Sequence, residues 1–138
     1  MSVSPIRMER LAAWQHAQAW PHIADFVDAV TEHCHGEWTT DQMKADILMG
    51  RYAVVVVWHG DERVGAVVYS VQNRRNERVA FIAATGGRSI VTPEDWAQLT
   101  AIFKAEGATA VEAAMRPSMA RLCRKLLTQK YIIVGAAI

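Results

Sequence analysis

Three apolar runs, Arg51–Trp58, Arg63–Gln72 and Glu77–Thr85, follow one another with only short polar breaks. Runs of this length bounded by turn residues are expected to be strands. His59-Gly60-Asp61-Glu62 suits a tight hairpin, because Gly60 tolerates the positive φ such turns need. Asn73–Asn76 supplies the next turn, its charges facing solvent. The three runs are thus read as an antiparallel meander. The last run ends in Gly86-Gly87, and a helix start follows at Thr92-Pro93-Glu94-Asp95. Glycines let a backbone approach a ligand, and helix N-terminal amides carry partial positive charge, so the junction is expected to form an anion-binding loop.

Helices surround the meander. Arg7–Trp20 is read as a helix with Leu11, Trp14 and Ala17 on one side, after a short edge strand at Val3–Ile6. Pro21 suits the first turn of a second helix carrying Ile23, Phe26, Val27, Val30 and Cys34, with Gly36 as terminator. Thr39 and Gln42 form a capping box for a third helix, whose stripe is Met43, Ile47 and Leu48 and which Gly50 closes. Beyond the glycines, Pro93–Glu106 is a helix with Trp96, Leu99, Ile102 and Phe103 inward. Thr109–Met115 is a strand, Ser118–Thr128 a helix and Tyr131–Val134 a final strand. The expected order is β-α-α-α-β-β-β-α-β-α-β. A meander feeding a β-α-β crossover implies an α/β chain of the α+β kind, with a mixed sheet and helices on both faces.

The bulk properties narrow the function classes. The 138 residues fit one domain, 1–138, and no linker, repeat or low-complexity segment divides them. A net charge of +1 gives no overall attraction to nucleic acid or membrane, and neither is expected as a partner. The longest apolar runs are too short to span a bilayer, and the N-terminus lacks a secretion pattern. Two cysteines, Cys34 and Cys123, are read as reduced, packed thiols of a cytoplasmic protein. His33-Cys34-His35 is not read as a metal site, because adjacent helical residues diverge by about 100°. Arg74, Arg75 and Arg78 are read as a solvated face, as are Arg121, Arg124 and Lys125. Of the five tryptophans, Trp14, Trp58 and Trp96 are expected inside, whereas Trp20 and Trp38 could anchor an interface.

Trp38, Asp46-Ile47, Gly50-Arg51, Val54–Trp58, Gly65-Ala66-Val67, Ala83–Gly87, Trp96, Ala105-Glu106-Gly107-Ala108, Val111-Glu112, Arg116 and Lys130-Tyr131 stand in an order and spacing that resembles the GCN5-related N-acetyltransferase (GNAT) superfamily. The likeness runs nearly the length of the chain, and extends to small GNAT-like proteins of tailed phages and prophages. It implies a GNAT-like fold in which acetyl-CoA enters between a splayed pair of parallel strands. The thioester would lie near Phe81–Thr85, and the cofactor-binding residues would be Ala84, Thr85, Gly86, Gly87, Arg88 and Ser89. The last four would take the pyrophosphate.

The resemblance assigns no catalytic residue. Helix Ser118–Thr128 lacks the tyrosine that protonates the departing thiolate in many members, and strand Arg78–Thr85 carries no acid. Two functions follow as expectations. One is transfer of an acetyl group from acetyl-CoA to an amine in the host cytoplasm. The other is a catalytically silent GNAT-like protein of a phage, a virion or assembly component with phage structural proteins as partners.

Overall fold

The computed structural model describes residues 6–32, 34, 36–88, 92–115, 117–132 and 134–138. In chain order these form β1 (Arg7–Arg10), a 3-10 turn (Ala13–Gln15), α1 (His16–Thr31), α2 (Thr40–Leu48), β2 (Ala53–His59), β3 (Glu62–Asn73), β4 (Arg78–Gly87), α3 (Pro93–Ala105), β5 (Ala110–Ala113) and α4 (Pro117–Leu122). The five strands make one sheet in the order β1-β2-β3-β4-β5. The first four are antiparallel neighbours, and β5 runs parallel to β4 after the α3 crossover. The mixed sheet expected from the meander is therefore present.

Strand alternation divides the apolar residues between two faces. On one face Val54, Val56, Ala66, Val68 and Ala84 pack beneath Trp20, Ile23 and Val27 of α1 and Met43 and Ile47 of α2. On the other, Val55, Val67, Tyr69, Ala80 and Ile82 pack against Leu99 and Phe103 of α3. Both capping boxes form: Thr39 Oγ1 accepts from the Gln42 amide, and Thr92 Oγ1 from the Asp95 amide. Gly60 takes a φ of 62° at the first hairpin.

The N-terminal region differs from the helical reading. Arg7–Arg10 is a strand paired with Val55–Trp58, and Gln98 of α3 holds its entry by accepting from the Met8 amide and donating to the Ile6 carbonyl. Ladder pairing outweighs the helical spacing of Leu11, Trp14 and Ala17, and Trp14 is left 78% exposed on the 3-10 turn. A single helix then runs through Pro21, which sits in its interior rather than its first turn. Trp20, which could have anchored an interface, is buried in the core, and Leu48 points outward. Val3–Pro5 lie outside the described residues.

The C-terminal region is shorter in regular structure than expected. The last helix ends at Leu122, with turns continuing to Leu127, and Leu122 is exposed. Among the described residues 130–138 there is no strand, and Tyr131, Ile132 and Val134 face solvent. No described helix is long and apolar enough to cross a membrane.

Candidate functional site

The ladder between β4 and β5 is short. It runs from Val79↔Ala110 to Ile82↔Ala113 and stops there. One residue later β4 is interrupted: Val68 pairs with Ala84 and Tyr69 with Ile82, so Ala83 is an extra residue. Such a bulge bends its strand and increases local twist. Its effect is visible in the side chains, since Ala80 and Ile82 face α3 whereas Ala84 faces α1. Among the described residues, the stretch from Ala83 to Gly87 pairs with β3 alone, and its other edge opens towards the end of β5.

Which backbone groups face that opening follows from the antiparallel ladder. The Arg88 amide donates to the Val64 carbonyl at 2.7 Å, beside the pair Gly65↔Gly87. Gly65↔Gly87 is therefore a non-hydrogen-bonded pair, and the flanking residues point their amides into β3. By the same alternation Ala84, Gly86 and Arg88 are spent on the β3 ladder. Thr85 and Gly87 direct N–H and C=O towards the open edge. An extended amide-bearing ligand can pair there as an added strand would.

The predicted ligand residues thus separate. Thr85 and Gly87 reach the opening through their backbones. Ala84 and Gly86 are buried against α1, and Ser89 lies outside the described residues. The diglycine is not a loop before the helix but the end of β4. It has a packing reason that sequence alone does not reveal. A Cβ on Gly86 would overlap the Phe26 carbonyl and lie 2.8 Å from the Phe26 Cβ, and one on Gly87 would lie 2.8 Å from the Phe26 ring. Gly87 also has φ 69°, which disfavours other residues. The glycines admit the backbone and ring of α1.

The start of α3 is closed by its own residues. The Thr92 amide donates to Asp95 Oδ2 and the Asp95 amide to Thr92 Oγ1, both at 3.1 Å. Pro93 has no amide hydrogen, and the Trp96 amide donates to the Thr92 carbonyl. Two carboxylates, Glu94 and Asp95, occupy the first turn, and Asp95 is buried. The described residues of this helix end offer one spare amide, that of Glu94, between two acids.

Two polar networks flank the sheet edge. Glu112 of β5, opposite Phe81 in the register, is buried and accepts two bonds of 2.7 Å from Arg74 Nη1 and one of 2.5 Å from Lys130 Nζ. Arg74, expected to be solvated, is a partner in this network. The hydrogen bond from Lys130, then that from Arg74, holds the Glu112 carboxyl below its ordinary value near 4.5. A carboxylate so held is a weak base, which suits a clasp joining the β3–β4 turn, β5 and the C-terminal segment rather than proton abstraction. Because the folded state depresses this group, its stabilisation is complete above the unfolded value and lost as pH falls through the folded one. Glu112→Gln is expected to lower the urea midpoint at pH 7, with the gap from wild type closing below about pH 4.5. A gap independent of pH would remove the charge from this account.

Tyr69 is fully buried, donates to Glu106 Oε2 at 2.8 Å and accepts from Arg10 Nε at 3.1 Å. Arg10 and Glu106 are also ion-paired. Burial, then the bond to Glu106, pushes the phenol well up, so it keeps its proton. It ties β1, β3 and the end of α3 together. Burial likewise raises the Cys123 thiol, leaving little thiolate. Cys34 Sγ is half-buried and donates to the Thr31 and Trp38 carbonyls. His33 and His35 lie outside the described residues, and among those described no group of three His, Cys, Asp or Glu could hold a metal.

A cavity of about 450 Å³ lies between α3, β5 and the segment reaching Lys130, lined by Trp96, Phe103, Val111, Leu126 and others. None of the predicted ligand residues lines it. The β4 opening is the better candidate on chemical grounds.

This architecture has close counterparts among solved structures. An aminoglycoside acetyltransferase from an uncultured soil metagenomic sample, in complex with sisomicin, superposes with a TM-score of 0.64 at 12% identity, covering 96% of each chain. An aminoglycoside N-acetyltransferase in complex with CoA gives 0.63 at 13% identity, covering 99% of this chain and 98% of that one. A Trypanosoma brucei acetyltransferase gives 0.60 at 13%, covering 97% and 99%. The chain has a GNAT-like fold. No protein-family model matches the sequence, and no curated protein does. At these identities the likeness is one of fold, and it carries no information on a phage origin.

Proposed function

We propose that this protein, acting as a single domain, binds an acyl-CoA thioester beside β4 and transfers its acetyl group to an amine. The observation that carries the reading is the end of the β4–β5 ladder at Ile82 and Ala113, one residue before the Ala83 bulge. That break frees the Thr85 and Gly87 edge groups where an extended thioester arm would lie. The CoA complex of a protein of the same fold supports it.

The reaction asks little of side chains. The amine nitrogen attacks the thioester carbonyl carbon, the C–S bond breaks, and the departing thiolate takes up a proton as the new amide releases one to solvent. An edge N–H on β4 would polarise the carbonyl, and alignment of the two reactants would supply most of the acceleration. The test is thiol release from acetyl-CoA across a panel of amines. Thr85→Pro removes an amide hydrogen that is not part of the β3 ladder, so the fold should persist while kcat/KM falls at least about tenfold, one hydrogen bond's worth. Undiminished turnover in a folded variant would exclude that amide from the reaction.

A second reading is favoured by one observation: the acid-filled start of α3, together with the lack of a free base along β4. In it the fold is catalytically silent and serves as an interaction protein, such as a phage virion or assembly component. Absence of any thioester binding, with the protein detected by mass spectrometry in purified particles, would establish that reading. Its absence from particles would remove the virion form.

A further inference from the structure

The cavity of about 450 Å³ between α3, β5 and the segment reaching Lys130 plays no part in acyl transfer as proposed. Its size lies within the range of small-molecule sites. Trp96 and Phe103 of α3, Val111 of β5, and Leu126 and Leu127 give it apolar walls. Those walls are pinned apart rather than free to close on one another. The Leu126 and Leu127 amides both donate to the carbonyl of Cys123, a buried residue. Further along, Lys130 Nζ donates to Glu112 of β5, so the segment is held on both sides of the cavity. The charges are one-sided. Lys104 and Lys130 line the cavity, and among the described residues no carboxylate does. Lys130 is matched by Glu112 and Glu77. Lys104 is exposed and has no hydrogen-bond or ion-pair partner among the described residues.

We propose that this cavity is a separate ligand site for a small amphipathic carboxylate, of the kind of a medium-chain fatty acid. The hydrocarbon body packs among Trp96, Phe103, Val111 and Leu127, and the carboxylate pairs with Lys104. Removal of apolar surface from water supplies most of the affinity, and charge selects the head group. A neutral ligand leaves Lys104 unmatched. A cation meets two ammonium groups with no acid on the cavity wall to receive it. The site is distinct from the β4 edge, so it stands or falls independently of acyl transfer.

Calorimetric titration of the whole protein with octanoate, octan-1-ol and octylammonium tests this. Octanoate should bind as a single equivalent with Kd below about 1 mM, and octan-1-ol about threefold to fivefold more weakly, the worth of a partly exposed charge pair. Octylammonium should be weaker than both. Lys104→Met should bring octanoate down to the affinity of octan-1-ol and leave the alcohol unchanged. Thr128→Trp, at an exposed position on the cavity wall, should fill the space and abolish binding of both. Ala108→Leu, from the opposite wall, repeats that test should the first variant not fold. Three results would overturn the proposal: no octanoate binding, octylammonium binding as tightly as octanoate, or full affinity retained in folded cavity-filling variants.

Discussion

Gly86→Ala should destabilise the fold by about 3 kcal/mol, at the upper end of what overpacking costs. The added methyl would overlap the carbonyl of Phe26. That atom is α1 backbone, packed on the sheet through Ile23 and Val27, and it cannot swing aside as a side-chain tip could. Relief would require lifting α1 or tearing the end of β4 from β3. Gly60→Ala is the matched control, because its Cβ would meet nothing within 4 Å and only its φ of 62° is unfavourable, a cost of about 1–2 kcal/mol. Urea unfolding of both variants measures the difference. A loss below 1 kcal/mol at Gly86 would mean that α1 does not press on β4 as described. A substitution at this glycine therefore reports on packing before it reports on any ligand.

The second large effect is expected on the opposite face, at Phe103→Ala, with a loss of about 3–5 kcal/mol. The Phe103 ring is 1% exposed and lies 4.7 Å from the Tyr69 ring, in the layer that joins α3 to the sheet. Truncation leaves a cavity among Tyr69, Leu99 and Ile82, on three separate elements that cannot collapse together. It also loosens α3, whose C-terminal Glu106 holds the Tyr69 hydroxyl. Trp14→Ala removes a larger ring but should cost less than about 0.5 kcal/mol, because that side chain is mostly in solvent. Equal losses at the two positions would contradict the assignment of core and surface.

Why some of this was legible in the sequence and some was not has a physical basis. The hairpins and helix starts are written locally: Gly60 for the turn, Thr39 with Gln42 and Thr92 with Asp95 for the caps. Each depends on residues within three or four positions, so each could be read before the fold was known. The first strand depends on a partner some 50 residues away. Nothing local distinguishes Arg7–Arg10 from a charged helical turn until Val55–Trp58 lies beside it.

The candidate site shows the same division. The run Ala83–Gly87 marks a stretch of small residues where something approaches closely. Whether the visitor is a ligand or Phe26 is decided by tertiary packing, and at Gly86 it is Phe26. The Ala83 bulge has no sequence signal, because it arises from the register of β3 against β4. Glu112 could be seen as an acid on a strand, yet its clasp with Arg74 and Lys130 joins positions far apart in the chain. The start of α3 carried a legible contrary signal: a capping acid and Pro93 occupy the helix end that an anion would need.

A thioester arm seated along the free edge of β4, as proposed, would lie against Thr85 and Gly87. Backbone amide shifts recorded by NMR during titration with acetyl-CoA test it most directly. The largest changes are expected at the Thr85 and Gly87 amides, with smaller ones at Ala113 and Ala114 across the opening. No change at millimolar ligand would contradict it, as would changes confined to the cavity between α3 and β5.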